Sequence, residues 1–522
     1  MKKGFLFLLV VPLCSCGVNL VSSSSEEPIS SSSLPGSSSV PSVVECNVYK
    51  DVALPSLSGK ITYTYSGKDI EIDETANTVC GTLANTSTAL TMSNGTETLN
   101  LTVKVVNRAY ASKHAATESS EGWFNDVTIS PISGLSSSFA EGVDVSSCKQ
   151  LYDAGQKFYN ADGVEESLFR ILKDNGVNWA RFRLWNDPYN HNIKLSDGSY
   201  APYGGGVCDL DHVTWMAREA KRFGLKVFID FHYSDFWVDP TNQVMPKAWA
   251  NFTTVYQLKT AINDYTTSVL RHLISNGAKP DMVSIGNENI AGMLLSKPGT
   301  DSTSYTAGNP DYISKKSALD SSLAGKIGTD NLVTYIKAGV DAVKAVDTSI
   351  LCMIHMAKNL TAYEYIKTIY DNFASVNYDV IGLSGYSYWH FSTMKILKTA
   401  MDYLSAAFPG KKICLAETSY GYTYEEDSRC GNSFSATSSS CKPVSGYDVN
   451  VQGQATILRD TMAQVASISN GFGVFYWEGA WTATAFCGWG DKQSLCSWSN
   501  QGLFSYNGKA LGSLQVYSKI RG

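Results

Sequence analysis

The chain has 522 residues, 43% of them hydrophobic and 17% charged, with a formal net charge of −6. That length exceeds one ordinary core, so more than one folded unit is expected. The mildly acidic balance leaves no basic footprint, which argues against nucleic acid as a partner.

The chain opens on a targeting segment. Met1-Lys2-Lys3 is a positive n-region, and the apolar run from Phe5 to Leu13 is too short to span a bilayer. Leu13-Cys14-Ser15-Cys16 resembles a bacterial lipoprotein box, with Cys16 as the lipidated residue. An ordinary cleaved signal peptide over residues 1–16 is the alternative. Either reading makes the protein extracytoplasmic, as a cell-surface lipoprotein or a secreted one, and lets its cysteines be read as disulfides. Residues 17–44 are serine runs broken by Pro28, Pro35, Gly36 and Pro41. With so little apolar surface they read as a disordered tether, and the only membrane contact expected is through the N-terminal lipid.

Residues 45–107 change to short alternating stretches at 60–65, 69–72, 89–92 and 99–105, with Asn94-Gly95 as a hairpin turn signal. They read as a small β-sandwich-like module that resembles bacterial immunoglobulin-like spacers. Cys46 and Cys80 are candidates to staple it. Residues 108–138 read as a polar connector.

From 139 to 522 the pattern is strand, loop, helix, repeated. Strands are expected at 142–146, 177–185, 225–232, 281–288, 350–355, 379–386, 412–417 and 473–477, with helices near 162–175, 211–223, 254–275 and 330–346. Eight alternations argue for an α/β fold, a parallel (β/α)8 TIM barrel, preceded by the small all-β module. The polar residues fall at the carboxyl ends of these strands, where barrel enzymes carry their sites. Strand two ends in Arg181-Phe182-Arg183-Leu184-Trp185 and strand three in Asp230-Phe231-His232. Strand four ends in Gly286-Asn287-Glu288, strand five at His355, strand six at Tyr386, strand seven in Glu417-Thr418 and strand eight in Trp477-Glu478. Taken singly, each glutamate reads as a satisfied strand-end carboxylate. Two of them on one barrel mouth suit glycoside hydrolysis, in which one carboxyl protonates the leaving oxygen and the other attacks the sugar.

The motifs GVDVS and DNGVNWARFRLWNDP within 142–188, FHYSDFWVDP (231–240) and MPKAW (245–249) resemble glycoside hydrolase family 53, the endo-β-1,4-galactanases of clan A. GNE (286–288), HMA (355–357), IGLSGYSYWH (381–390), AETSYGYT (416–423) and FYWEGAW (475–481) extend the likeness through 139–522 in the same order. The resemblance implies a retaining endo-enzyme acting on galactan or arabinogalactan. Glu288 would be its acid/base and Glu417 its nucleophile, about 5–5.5 Å apart as retention requires. It further implies that Asn287 bonds the sugar 2-hydroxyl and that Arg181 holds Glu417 ionised. His232 and His355 would be strand-end histidines, Trp477 the aromatic floor, Tyr386 the hydroxyl partner of the nucleophile, and Trp185, Asp235 and Trp237 contacts to galactose units. Three departures stand out. Gly385-Tyr386 replaces two adjacent tyrosines, and Leu295 replaces a tryptophan. The 424–449 loop carries Cys430 and Cys441, read as a bridge, with Asp427 and Asn432 as weak oxygen donors for a structural calcium. Cys487 and Cys496 read as a second bridge; Cys352 and Cys414 read as buried thiols. No cofactor is expected to be required, and the protein is expected to act as a monomer. A β-mannanase-type relative and a non-catalytic glycan-binding protein are the competing readings.

Overall fold

A computed structural model describes residues 42–109, 122–303, 310–425, 434–435, 441–482, 484 and 498–522. Cys16 and residues 1–41 lie outside them, as do Asp427, Asn432, Cys430, Cys487 and Cys496.

The N-terminal strands form a small all-β module. One sheet runs in the order Val43–Cys46, Thr98–Val105, Thr86–Ser93, Thr62–Thr64, and the other Val52–Ala53, Thr78–Gly81, Ile70–Asp73. Alternation buries Val44, Leu90, Met92, Leu101, Val103 and Val79 between them. The Asn94-Gly95 turn closes the hairpin as expected, with Asn94 Oδ1 accepting from Glu97 N at 2.7 Å and Gly95 at φ +90°. The Cys46–Cys80 staple is corrected: both are buried thiols. Val79 faces the module core, so period 2 turns Cys80 outward onto a cleft with Tyr152 and Trp215, while Cys46 points inward.

The module packs on the larger unit. The Tyr49 hydroxyl donates to Glu219 at 2.7 Å, its ring meets Tyr152 and Trp215 edge-on at 4.9 and 5.3 Å, and Arg170 pairs with Asp69 at 2.6 Å. This docking explains a shortened helix. The expected helix at 162–175 begins only at Leu168, because Glu165 and Glu166 form extended bridges to Tyr159 and Leu83 and Val164 packs on the module core. Residues 122–138 also pack on the barrel; Trp123 is buried edge-on against Tyr422 and Tyr506.

Eight parallel strands close a barrel in chain order: Ala140–Asp144, Trp179–Leu184, Lys226–Phe231, Met282–Ile285, Leu351–Met356, Val380–Ser384, Lys412–Thr418 and Gly471–Tyr476. The last pairs with the first through Gly473 and Ala140. Capped helices cover the outside. Asp209 accepts from His212 N, Thr254 and Gln257 form a capping box, and Asn450 accepts from Gly453 N. The amino half of the barrel interior is apolar, filled by Trp179, Phe228, Met282, Met353 and Phe475. Gly142 is needed there, since a Cβ would meet the Phe475 ring at 2.1 Å. The buried polar side chains of the interior therefore gather at its carboxyl end.

Candidate active site

Period 2 on strand two points Trp179, Arg181 and Arg183 inward, the first into the apolar layer and the others above it. Arg181 is 1% exposed and acts as a hub. It reaches Asp144 of strand one at 2.9 Å, Asp230 of strand three at 2.6 Å, Asn287 Oδ1 at 3.2 Å and Glu417 Oε1 at 2.8 Å. Asp230, His355 and Glu417 also lie close enough together to suggest a metal cluster. The guanidinium already supplies the cation between Asp230 and Glu417.

Glu417 reaches this hub through a bulge. Cys414 and Ala416 face the barrel interior, so strict alternation would turn Glu417 outward. The register instead shifts from Leu383↔Leu415 to Ser384↔Glu417, and the extra residue re-aims the carboxyl. Tyr386 then donates to Glu417 Oε2 at 2.8 Å. Gly385, one of the departures, packs its Cα against the Leu415 side chain, and a Cβ there would lie 2.8 Å from it.

Glu288 is presented differently. Strand four ends at Ile285, Gly286 turns at φ +79°, and Glu288 itself sits at φ +47°, a left-handed conformation that a non-glycine residue adopts at a cost. Its Oε1 contacts the Ser384 hydroxyl. His355 stands behind, with Nε2 3.0 Å from Ser384 Oγ and Nδ1 2.9 Å from Asn287 Oδ1. Asn287 is fixed by its Nδ2 donating to Val238 O at 2.8 Å.

Burial lifts both glutamates above the ordinary carboxylate range, Glu288 far above it because it also faces the charge of Glu417. Arg181 and Tyr386 both donate to Glu417 and favour its charged form. Of the two, Glu288 therefore holds the proton and Glu417 the charge. Burial opposes the charge of Asp230 as well, but Arg181 and His232 bring it down to about 2. His355 is pushed down to about 3 by burial and by Arg181, so it is neutral. His232, lowered by burial, accepts at Nδ1 from Trp185 Nε1 (3.0 Å) and Val238 N (3.2 Å) and turns Nε2 toward Asp230.

Arg181, His232, Trp237, Asn287, Glu288, Tyr386, Glu417 and Trp477, all anticipated from the sequence, line one cleft. Trp237 and Trp477 lie 6.2 Å apart, and the Arg183 guanidinium stacks 4.1 Å from Trp237. Trp185 and Asp235, expected to touch galactose, do not line the cleft. Both are fully buried. Asp235 accepts from the backbone N–H groups of Lys247 (2.7 Å) and Asp187 (3.1 Å), and Trp185 props Trp237 edge-on at 5.3 Å. His355 likewise sits behind Asn287 rather than on the cleft wall. Leu295 is half-buried, its N–H on Gln243 O at 2.7 Å. Sequence reasoning missed Asp144, Asp230 and Ser384 as site residues, together with the wall residues Asp239, Trp389, His390 and Trp498. Asp230 carried a usable signal, since it shares an inward face with His232.

Comparison with known proteins agrees with this geometry. The model of glycosyl hydrolase family 53 matches residues 140–517. The endo-β-1,4-galactanase of Bacillus subtilis is 34% identical over 429 residues, which is 75% of this chain and 88% of that protein. An arabinogalactan endo-β-1,4-galactanase of Cellvibrio japonicus is 30% identical over 66% of this chain and 81% of its own. Among solved structures, a family 53 catalytic domain from Ignisphaera aggregans superposes with a TM-score of 0.65 at 37% identity, covering 76% of this chain and all of that one. A fungal β-1,4-galactanase superposes at 0.55 with 28% identity, over 73% of this chain and 98% of its own. With the matched region spanning the whole barrel and both carboxyls, the chain is a glycosidase and belongs to glycosyl hydrolase family 53.

Proposed function

We propose that this enzyme cuts internal β-1,4-galactosidic bonds of galactan, plain or arabinosylated, with retention of configuration. The observation that carries the chemistry is the unequal sharing of donors: Arg181 and Tyr386 both reach Glu417, while among the described residues no cation is bonded to Glu288. Glu417 attacks the anomeric carbon as Glu288 protonates the leaving oxygen. Water, deprotonated by Glu288, then releases the sugar from its ester on Glu417. Asn287, tied to Arg181 and His355, is placed to bond the 2-hydroxyl as charge develops. Trp237 and Trp477 offer apolar faces to the C–H surfaces of the sugar rings. This chemistry calls on carboxyls and water, with no cofactor; a calcium at Asp427 and Asn432 would be structural. The galactan substrate is supported by the names of the relatives. Export and lipid anchoring through Cys16 are supported by the leader sequence alone, and monomeric action remains part of the same reading.

A panel of galactan, mannan, xylan and cellulose tests the substrate. Galactan should be cut internally to short oligosaccharides, and comparable rates on mannan would move the assignment. Proton NMR of the first product should show the β-anomer; an α-anomer excludes the retaining pair.

A further inference from the structure

Ser384 has no part in the steps above and His355 only braces Asn287, yet both are fully buried against Glu288 and Asn287. We propose that Ser384 is a positioning residue that accepts a hydrogen bond from protonated Glu288 and passes on to it the fixed tautomer of His355. This rests on Glu288 being the acid of the proposed reaction.

The direction of each hydrogen follows from the fixed end of the chain. Asn287 Nδ2 donates to Val238 O, so Oδ1 faces Arg181 Nη2 and His355 Nδ1. Reversing the amide would set its oxygen against a carbonyl and its NH2 against a guanidinium. Oδ1 is therefore an acceptor, and His355 Nδ1 carries a hydrogen. Arg181, bonded to that same oxygen, opposes a second positive charge on the imidazole, so His355 is neutral and Nε2 is bare. A bare Nε2 3.0 Å from Ser384 Oγ takes the only hydroxyl hydrogen. The remaining contact, Ser384 Oγ to Glu288 Oε1, is then made with a hydrogen from Glu288. In the free enzyme the chain is complete only when Glu288 is protonated. When Glu288 gives up its proton, Ser384 can serve the carboxylate only by leaving Nε2 without a donor in a dry site, which favours reprotonation.

The competing arrangement has Ser384 donating to an ionised Glu288, with Nε2–H on His355. The two differ in the sign of a measurable shift. Glu288 is faced by Arg181 from strand two, Asp239 from the loop after strand three, His355 from strand five through Ser384, Tyr386 beyond strand six and Glu417 from strand seven. Ser384→Ala takes the donor from His355 Nε2 and leaves the other groups with the partners they have.

Carbon-13 NMR of labelled glutamate side chains, with Glu288 assigned by its Gln variant, follows the titration without any substrate. Ser384→Ala should move the Glu288 midpoint down by about half to one pH unit, and Ser384→Thr should restore it. An upward or absent shift overturns the proposal. The basic limb of kcat/KM on galactan should move with it. At neutral pH, Ser384→Ala should lose about 10- to 100-fold on galactan and much less on an aryl galactoside whose leaving group needs no acid. Should Ser384→Ala not fold, nitrogen-15 NMR of histidine-labelled wild-type protein decides the matter: Nδ1–H with bare Nε2 is expected, and Nε2–H or an imidazolium refutes it. Absence of galactanase activity in the wild type would overturn the functional reading and leave both NMR results to stand or fall separately.

Discussion

Replacing Arg181 by methionine should destabilise the protein strongly, by an amount that depends on pH in a defined direction. The guanidinium holds Asp144, Asp230 and Glu417, all nearly inaccessible to water. Asp230 alone is brought from 3.8 to about 2. That difference contributes about 2.5 kcal/mol, fully present above pH 4 and lost as pH falls toward 2. Removing one partner of a buried ion pair costs about 3–5 kcal/mol, and serving three anions places Arg181 at the upper end, near 5 kcal/mol. The compact unit Ser42–Gly522 has an unfolding entropy of roughly 1 kcal/mol per degree, so the melting temperature should fall by about 5 °C at pH 7. In the variant the orphaned carboxyls must bind protons on folding. Their folded pKa values then lie above the unfolded ones, and the lost stability returns as pH falls. Calorimetry at pH 7 and pH 5 should show the gap to wild type narrowing at the lower pH. A melt within about 1 °C of wild type at pH 7, or a gap equal at both values, would refute the reasoning.

Tyr386→Phe removes one of the two side-chain donors to Glu417, so the acidic limb of kcat/KM should move upward while the basic limb stays; a shift in the basic limb alone would mean Tyr386 serves Glu288. Glu288→Ala should still form the galactosyl ester from an activated aryl galactoside and be rescued by azide as the β-azide, whereas Glu417→Ala should give at most the α-azide. Cys16→Ala should shift the full-length protein from membranes to the soluble fraction, and lipid-free soluble wild type would sink the anchoring proposal. Deleting residues 42–108 strips the Tyr49 hydroxyl from Glu219 and the Arg108 guanidinium from Glu165, two carboxyl groups now buried. The shortened protein should melt several degrees lower, and an unchanged melt would make the module a passive spacer.

The barrel was legible because its strands are short apolar runs with polar tips, and the eight observed strands fall within three residues of the expected ones at either end. The helices Tyr363–Asp371, Met394–Ala407 and Val451–Ala466 were not picked out. The hub on Arg181 was visible only in part. Alternation along Arg181-Phe182-Arg183 puts the two arginines on one face, but nothing in Leu415-Ala416-Glu417 announces the bulge that turns Glu417 onto it. Asp235 shows the opposite failure. The family resemblance implies a galactose contact there, yet here the carboxyl accepts two backbone N–H groups that shape the loop. A module as small as this one invites a staple between Cys46 and Cys80, whereas their strands turn them to opposite faces. Ser384 went unremarked because a serine ending an apolar strand carries no signal until its neighbours across the barrel are known.

The left-handed backbone at Glu288 has a consequence for how such a chain ages. Glycine at that position would relieve about 1–2 kcal/mol of backbone strain and also remove a buried carboxyl that faces another negative charge. With Glu288 as the acid proposed above, the fold is thus better served by a residue that abolishes the reaction. Only continued use of the enzyme keeps glutamate there. In a lineage that stopped feeding on the substrate, drift toward a sturdier molecule would erase this residue early, leaving an intact barrel with its aromatic cleft and no acid.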